Sequence, residues 1–265
     1  MTAIVTGASR GLGRAIALAL AADGEAVAVV GRTEAVWDER LPGTIGETVA
    51  DIEATGGRAV AIRADLTEHD DIVRLVDEAR DALGPIEVLI NNAAFTAPGR
   101  PGGTPRVKKA AADKARYPGF VSVPLAAYRR HFEIAVFAAY ELMQLVSPDM
   151  IAAGGGSIVN ITSIASRLGG GLPGYGGSKA ALEHLTGCAA LDLADHNIAV
   201  NALAPSKPIM TPGLSYYAHG FDDESTAEEF AQAALQLARV SPSVVTGRTI
   251  GHLQVLDGSF APFMV

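Results

Sequence analysis

Several residue classes are scarce in this chain, and each scarcity removes a class of protein. One cysteine in 265 residues excludes a disulfide framework and any zinc or iron–sulfur site built on thiolates. The six histidines, at positions 69, 131, 184, 196, 219 and 252, show no HExxH-type spacing, so no metal site is expected. Cations are few: 21 Lys+Arg against 29 Asp+Glu give a formal charge of −8. That balance argues against a nucleic-acid partner, because phosphate affinity needs clustered Lys and Arg. No apolar run nears the roughly 20 residues that span a bilayer. The longest, Ala15–Ala22 and Ile134–Tyr140, end at charges. Met1–Thr6 carries no basic stretch and reads as a strand, not a signal peptide. The expectation is a soluble, cytoplasmic protein with no membrane partner. The apolar tail Phe260–Val265 matches no lipidation or sorting signal and is expected to dock on its own fold or on a neighbouring subunit.

Apolar residues and glycine, by contrast, are plentiful: 49% hydrophobic and 29 Gly. A chain of this length buries roughly three-quarters of its unfolded surface and needs no staples. Short β-rich runs occur at Ala3–Thr6, Ala26–Val30, Ala59–Ala64, Val88–Asn91, Ser157–Ile161, Ala199–Leu203 and His252–Leu256. Several are apolar at consecutive positions, as strands covered on both faces must be. Helical patterns lie between them, near 13–22, 45–55, 70–82, 126–152, 175–195 and 226–238. Gly24 is placed to end the first with a left-handed cap. This alternation predicts an α/β fold, a doubly wound parallel sheet of seven strands with helices on both faces. Nothing marks a second domain, so residues 1–265 read as one. Loop insertions fall near 33–44 and 96–124, and a substrate lid near 206–225.

Thr6-Gly7-Ala8-Ser9-Arg10-Gly11-Leu12-Gly13 follows the first strand and opens the first helix. Glycines there let the turn close and bring backbone N–H groups against a pyrophosphate, so a dinucleotide is expected. An NAD site usually places Asp or Glu at the end of the second strand, on the ribose diol. This strand ends Val29-Val30-Gly31-Arg32 instead. Arg32, with Arg10 in the glycine loop, suits a 2′-phosphate, so NADP(H) is favoured. Glu34, three residues past Gly31, keeps NAD(H) open.

Tyr175 and Lys179 stand four apart, on one face of a helix. A free phenol, with a pKa near 10, is a poor base at neutral pH. A lysine ammonium at about 4 Å favours phenolate by up to roughly 4 kcal/mol before screening and desolvation, enough to move the pKa by about 2–3 units. Such a tyrosine can exchange a proton with a carbonyl or alcohol oxygen while hydride passes to or from nicotinamide. Upstream, Thr162 and Ser163 end a strand, and one hydroxyl can hold the substrate oxygen.

Jointly and in order, several segments resemble the short-chain dehydrogenase/reductases over essentially the whole chain. They are the glycine loop, Asp65-Leu66, Asn91-Asn92-Ala93, Ser163, Tyr175 with Lys179, Asn201–Pro205 and Thr246-Gly247. The resemblance implies a Rossmann-type fold and an oxidoreductase interconverting a ketone and a secondary alcohol. Tyr175 would be the general acid/base; Lys179 would lower its pKa and hold the nicotinamide ribose, and Ser163 would orient the carbonyl. Cofactor contacts are implied for Gly7, Ser9, Arg10, Gly11, Leu12, Gly13 and Arg32, and for Asp65 and Leu66 at adenine. Asn91 and Ala93 would line the cofactor; Pro205, Ile209 and Thr211 would meet its carboxamide end. Leu41–Ile45 looks like the longer loop of hydroxysteroid dehydrogenase-like members. A homo-oligomer, dimer or tetramer, is also implied, with Gly187-Cys188-Ala189-Ala190 and the 126–152 helix suited to subunit packing.

The chain departs from that family at several points. Ala135 stands where an asparagine usually anchors a relay water, which leaves backbone, water, His131 or Glu133 for the task. Ala94 and Ser206 replace glycines, and Ser163 lies 12 positions before Tyr175, one fewer than usual. These departures motivate a rival reading, a catalytically weak dinucleotide-binding sensor or interaction protein of the same fold. Ser178 is expected on the helix surface, Cys188 in packing, and Trp37 as a cover for its loop. Arg100–Arg116 carries six basic residues against Asp113 alone. It is either a solvated insertion or a contact for an anionic substrate such as a phosphopantetheine-bearing thioester. Met210, Leu214, Tyr216, Tyr217 and Phe221 read either as an apolar lid over a hydrophobic (steroid-like or acyl) carbonyl or as ordinary loop packing.

Overall fold

Alternation along each strand decides which layer a residue enters. The strands are β1 (Thr2–Thr6), β2 (Ala26–Gly31), β3 (Arg58–Arg63), β4 (Val88–Asn91), β5 (Gly156–Ile161), β6 (Ile198–Ala204) and β7 (Thr249–Gly251). They form one parallel sheet in the order β3-β2-β1-β4-β5-β6-β7. Ala3, Val5, Val27, Val29, Ile90 and Val159 face one side; Ile4, Ala28, Val30, Leu89, Ile158 and Val200 face the other. Helices α1 (Gly11–Ala22), α2 (Ile45–Ala54), α8 (Ala227–Arg239) and α9 (His252–Leu256) cover the first side through Ile16, Ile52, Phe230 and Val255. Helices α3 (His69–Leu83), α5 (Ala138–Ala153) and α6 (Pro173–Leu193) cover the second through Leu75, Leu142 and Ala190. Short helices α4 (Leu125–Phe132) and α7 (Pro212–Ser215) complete the set. Each fully buried Leu- or Ile-sized side chain contributes roughly 1.5–3 kcal/mol, so both layers are needed. This computed structural model describes residues 1–95, 120–168, 172–215 and 220–264.

The doubly wound parallel sheet read from the sequence is the one that forms, with two local corrections. The seventh strand is Thr249–Gly251, which pairs with Ala202–Ala204, and His252–Leu256 is helical. The buried residues of that run, His252 and Val255, are spaced three apart, a helical interval rather than a strand's alternation. The expected 126–152 helix is α4 and α5 joined by a five-residue π turn, Glu133–Phe137. The stretch Leu125–Ala153 is apolar and long enough, by length and composition, to cross a membrane. Here it packs against α3, β4, β5 and α6. Gly24, at φ +97°, follows α1 as its left-handed stop.

Two helix starts carry a signal not used above. Thr44 and Glu47 at α2, and Thr226 and Glu229 at α8, form reciprocal capping boxes with bonds of 2.9 and 3.0 Å in each.

Candidate active site

The order of strands reverses between β1 and β4, and at such a point a crevice opens at the carboxyl ends of the strands. The Thr6 hydroxyl binds the two strands together there. It accepts from the N–H groups of Asn92 (3.0 Å) and Ala93 (3.1 Å) and lies 3.3 Å from the Ile90 carbonyl. Gly7 and Gly11 follow with φ of +66° and +55°, angles that a side chain would strain. A Cβ on Gly7 would also meet the Ala93 backbone at 2.9 Å. Gly13 packs beneath the loop, where a Cβ would sit 2.4 Å from the Gly7 carbonyl. No side chain caps the start of α1 and its first turn holds no acid, so its positive end is left for an anion.

A cavity of about 280 Å³ runs from this loop in two directions. Towards β2 it is lined by Gly31, Arg32, Thr33, Trp37, Leu41 and Asp65. Arg32 and Asp65 form an ion pair at 3.4 Å across the opening. Burial pushes the Asp65 carboxyl up, but the Thr67 hydrogen bonds and the Arg32 charge outweigh it and hold it below the usual range. Arg10 lines the cavity too, yet its Nη2 donates to Thr33 Oγ1 and to the Gly43 carbonyl, both at 3.0 Å. It thereby ties both ends of the 33–44 insertion to the glycine loop. Burial draws its guanidinium below its ordinary pKa. Glu34 is directed away, exposed and paired with Arg63 at 3.2 Å, and does not line the cavity.

In the other direction lie Ser163, Tyr175 and Lys179. Proline at the first position of α6 starts the helix whose next turns carry Tyr175 and Lys179. Lys179 is 1% exposed, and its Nζ donates to the Ile161 carbonyl at 2.6 Å. Its ammonium stands 5.8 Å from the centre of the Tyr175 ring. Burial lowers its pKa to about 8, and the Glu183 charge resists that fall. The Thr162 hydroxyl donates to Glu183 Oε1 at 2.7 Å, whereas Ser163 Oγ accepts from Ala165 N–H at 3.3 Å. Behind the site, Asn91 Nδ2 donates to Asn160 Oδ1, and Asn160 Nδ2 to Thr186 Oγ1, both at 2.9 Å. That chain fastens β4, β5 and α6 together.

The His131 ring meets the Tyr175 ring edge-on, centres 6.0 Å apart. Gly174 makes room for it, since a Cβ there would sit 2.6 Å from the imidazole. Burial and the nearby Lys179 charge lower the His131 pKa to about 4. Ala135, 4% exposed, lies in the π turn beside Ile134, which lines the cavity.

Of the residues singled out from sequence, Gly7, Ser9, Arg10, Gly11, Leu12, Arg32, Asp65, Leu66, Ala93, Ser163, Tyr175, Lys179, Pro205 and Thr211 line this one cavity. Three do not. Gly13 packs under the loop, Asn91 turns its amide to Asn160, and Ile209 is buried in the core. Ser178 is buried, not on the surface, with its hydroxyl donating to the Tyr175 carbonyl at 2.8 Å, while Cys188 is exposed on α6 in the single chain. Trp37 and Asn92 are among further lining residues to which the sequence assigns no such role. Asn92 had a signal in its Asn-Asn pair at a strand end; Trp37 had none beyond its loop. The basic stretch 100–116 and Tyr216 and Tyr217 lie outside the described residues.

The segment after β6 is held at its base by one histidine. Ser206 N–H donates to His252 Nδ1 at 2.8 Å, which leaves the proton on Nε2 to bond Ser225 Oγ at 2.9 Å. Burial pulls the His252 pKa below its ordinary value, against the Glu229 charge.

A switch-point crevice with a glycine-lined helix start, a half-buried Tyr175 and a buried Lys179 defines a dinucleotide-binding oxidoreductase. The model of the short chain dehydrogenase family matches residues 1–214. A 7alpha-hydroxysteroid dehydrogenase of Escherichia coli (strain K12) is 34% identical over 220 residues, 80% of this chain and 75% of the relative. A 3-oxoacyl-acyl-carrier-protein reductase of Staphylococcus epidermidis is 32% identical over 222 residues, 81% of this chain and 78% of the relative. A solved 7 alpha-hydroxysteroid dehydrogenase, complexed with NADH and 7-oxo glycochenodeoxycholic acid, superposes with a TM-score of 0.78 at 31% identity, covering 94% of this chain and 91% of its own. The chain therefore belongs to the short-chain dehydrogenase/reductases. It is an oxidoreductase of that family with a nicotinamide dinucleotide as its cofactor.

Proposed function

We propose that this chain is an NADP(H)-dependent oxidoreductase that interconverts an apolar ketone and its secondary alcohol. The observation carrying this reading is that Ser163, Tyr175 and the buried Lys179 share one cavity with Arg32. When bound, the nicotinamide supplies hydride to the carbonyl carbon or accepts it from the alcohol. Ser163 Oγ donates to the substrate oxygen and fixes its position. In reduction, Tyr175 gives its phenolic proton to that oxygen; in oxidation, its phenolate takes the proton back. The Lys179 ammonium favours the phenolate in both directions.

Arg32 supports the choice of NADP(H), since a guanidinium at the cavity rim matches a 2′-phosphate. No carboxylate stands at Gly31 to hold a ribose diol, and Glu34 is engaged by Arg63. Arg10 has the smaller part, because its guanidinium is spent on the loop. An apolar substrate is supported by Met210 and Leu214, which flank the cavity-lining Thr211 and Gly213 in the chain, and by hydroxysteroid and oxoacyl relatives. The same reading makes residues 1–265 one domain, and places it in the cytoplasm as a homo-oligomeric dimer or tetramer. Exposed Leu125, Phe137 and Tyr140 support self-association.

The test is NADPH oxidation over a panel of steroidal, 3-oxoacyl and aryl ketones. Turnover on at least one is expected, and Tyr175→Phe should lower kcat roughly 100- to 10,000-fold, the range of general acid–base catalysis. A Tyr175→Phe protein as active as the parent overturns the mechanism. Ala135 favours a second reading, a dinucleotide-binding sensor. Tight NADPH binding with no turnover on any ketone would establish it.

A further inference from the structure

Glu183 stands one turn beyond Lys179 on α6, and none of the chemistry above uses it. Its side chain is 13% exposed, a burial at which a carboxylate needs partners. Oε1 accepts from Thr162 Oγ1 at 2.7 Å and from Ser166 Oγ at 2.6 Å. Those hydroxyls belong to the residue before Ser163 and the residue three after it. One oxygen thus holds both sides of the turn that presents Ser163 to the cavity. Oε2 takes Arg167 Nη2 at 3.1 Å. Arg167 continues outward, donating through Nη1 to the Phe263 carbonyl, with its guanidinium carbon 5.5 Å from the centre of the Phe263 ring. Phe263 is itself buried, and Pro262 bridges Ile250 of β7.

We propose that Glu183 is a positioning residue of the active site, which fixes the turn that presents Ser163 to the cavity. This deepens the ketone-reduction reading and rests on it. Ser163 stands at the start of the short turn Ile164–Ser166, and the hydroxyls on either side of it, Thr162 and Ser166, both bond to Glu183. On Lys179, the Glu183 carboxylate opposes the loss of charge that burial drives. The other charged or titratable groups near Lys179 are Tyr175 on α6 and His131 on α4; Arg167 faces Glu183 from the far side. Through Arg167 the same carboxylate also fastens the C-terminal segment to the site. The hydrogen bonds therefore form one path, from Phe263 to Arg167, to Glu183, to Thr162 and Ser166.

The experiment compares Glu183→Gln and Glu183→Asp with the parent in NADPH-dependent ketone reduction from pH 6 to pH 10. Glutamine keeps the shape and an acceptor oxygen but removes the charge. It is expected to lower kcat about tenfold, the effect of losing one charge-assisted hydrogen bond. The dinucleotide Kd should stay the same within twofold, since Glu183 does not line the cavity. Loss of activity at alkaline pH should begin at lower pH in Glu183→Gln, because Lys179 gives up its proton sooner. Glu183→Asp, which restores the charge, should bring the alkaline limb back towards the parent. A parental kcat and pH profile in Glu183→Gln overturns the proposal. So does an equal loss in both variants with an unmoved alkaline limb, which would mark Glu183 as structural only. A parent that reduces no ketone would instead defeat the reading on which this rests, and the parallel Tyr175→Phe assay separates the two failures.

Discussion

The two ends of the cavity are built on different physical terms. At the β2 end the polar groups are charged, half-exposed and paired side chain to side chain, as Arg32 is with Asp65. At the β5–α6 end they are buried, mostly neutral, and bonded through backbone or amide groups, as Lys179 is to Ile161 and Asn160 to Thr186. Charges screened by water contribute little to stability and can be exchanged at small cost. Buried polar groups leave a donor or acceptor orphaned when one partner goes. One end is therefore suited to choosing between dinucleotides, the other to holding reactive atoms still.

The contrast is broken most directly at Asn160. Asn160→Ala removes the acceptor of Asn91 and opens a void between β4, β5 and α6. It should destabilise the fold by about 3 kcal/mol, read as a lower urea midpoint. A shift no larger than that of a surface substitution would erase the difference between the ends. At the β2 end the same kind of deletion should act on binding. Arg32→Ala should weaken NADPH about tenfold or more, leave NADH nearly unchanged, and hardly move the melting temperature. Equal losses for the two dinucleotides would remove the 2′-phosphate from the account. Arg10→Ala gives the sharper control. Its bonds run to Thr33 and Gly43, so it should weaken both dinucleotides alike, by a few-fold, through the loop. The smallest effect concerns acid. His131 binds its proton near pH 4 when folded, against an ordinary value of 6.5. The unfolded chain therefore takes up that proton first as pH falls below 6.5. Stability should drop between pH 6.5 and 4, by about 1–2 kcal/mol from this residue after allowing for its partial exposure. His131→Phe should flatten that part of the urea midpoint–pH curve.

Much of this was legible in the residue order because strand periodicity and the glycine loop are local signals. Val27, Val29 and their neighbours announce a doubly covered strand without help from the rest of the chain. Tyr175 and Lys179 share a helix face by spacing alone, and the cavity does contain both. The failures share one cause. Asn91 looked like a cavity residue, but its amide partner Asn160 lies 69 positions away. The tie from Arg10 to Gly43 was hidden too, since nothing local reveals that Gly43 returns to it. His252–Leu256 looked like a strand because short apolar runs do not distinguish strand from helix. In each case a distant segment decided the outcome.

The histidine beneath the 206–225 segment has a consequence for how this protein can diversify. Ser206 and Ser225 both end on His252, and Ser225 N–H also donates to the Pro208 carbonyl at 3.0 Å. The feet of the segment are thus set by a buried post rooted in the first turn of α9, independent of what the span between them contains. Exposed positions of the span, such as Phe221 and Asp222, can be recomposed without the change reaching that post, whereas Ile209, buried in the core, cannot. On the proposed function, substrate range can then change at those exposed positions while Tyr175 and Lys179 stay where they are.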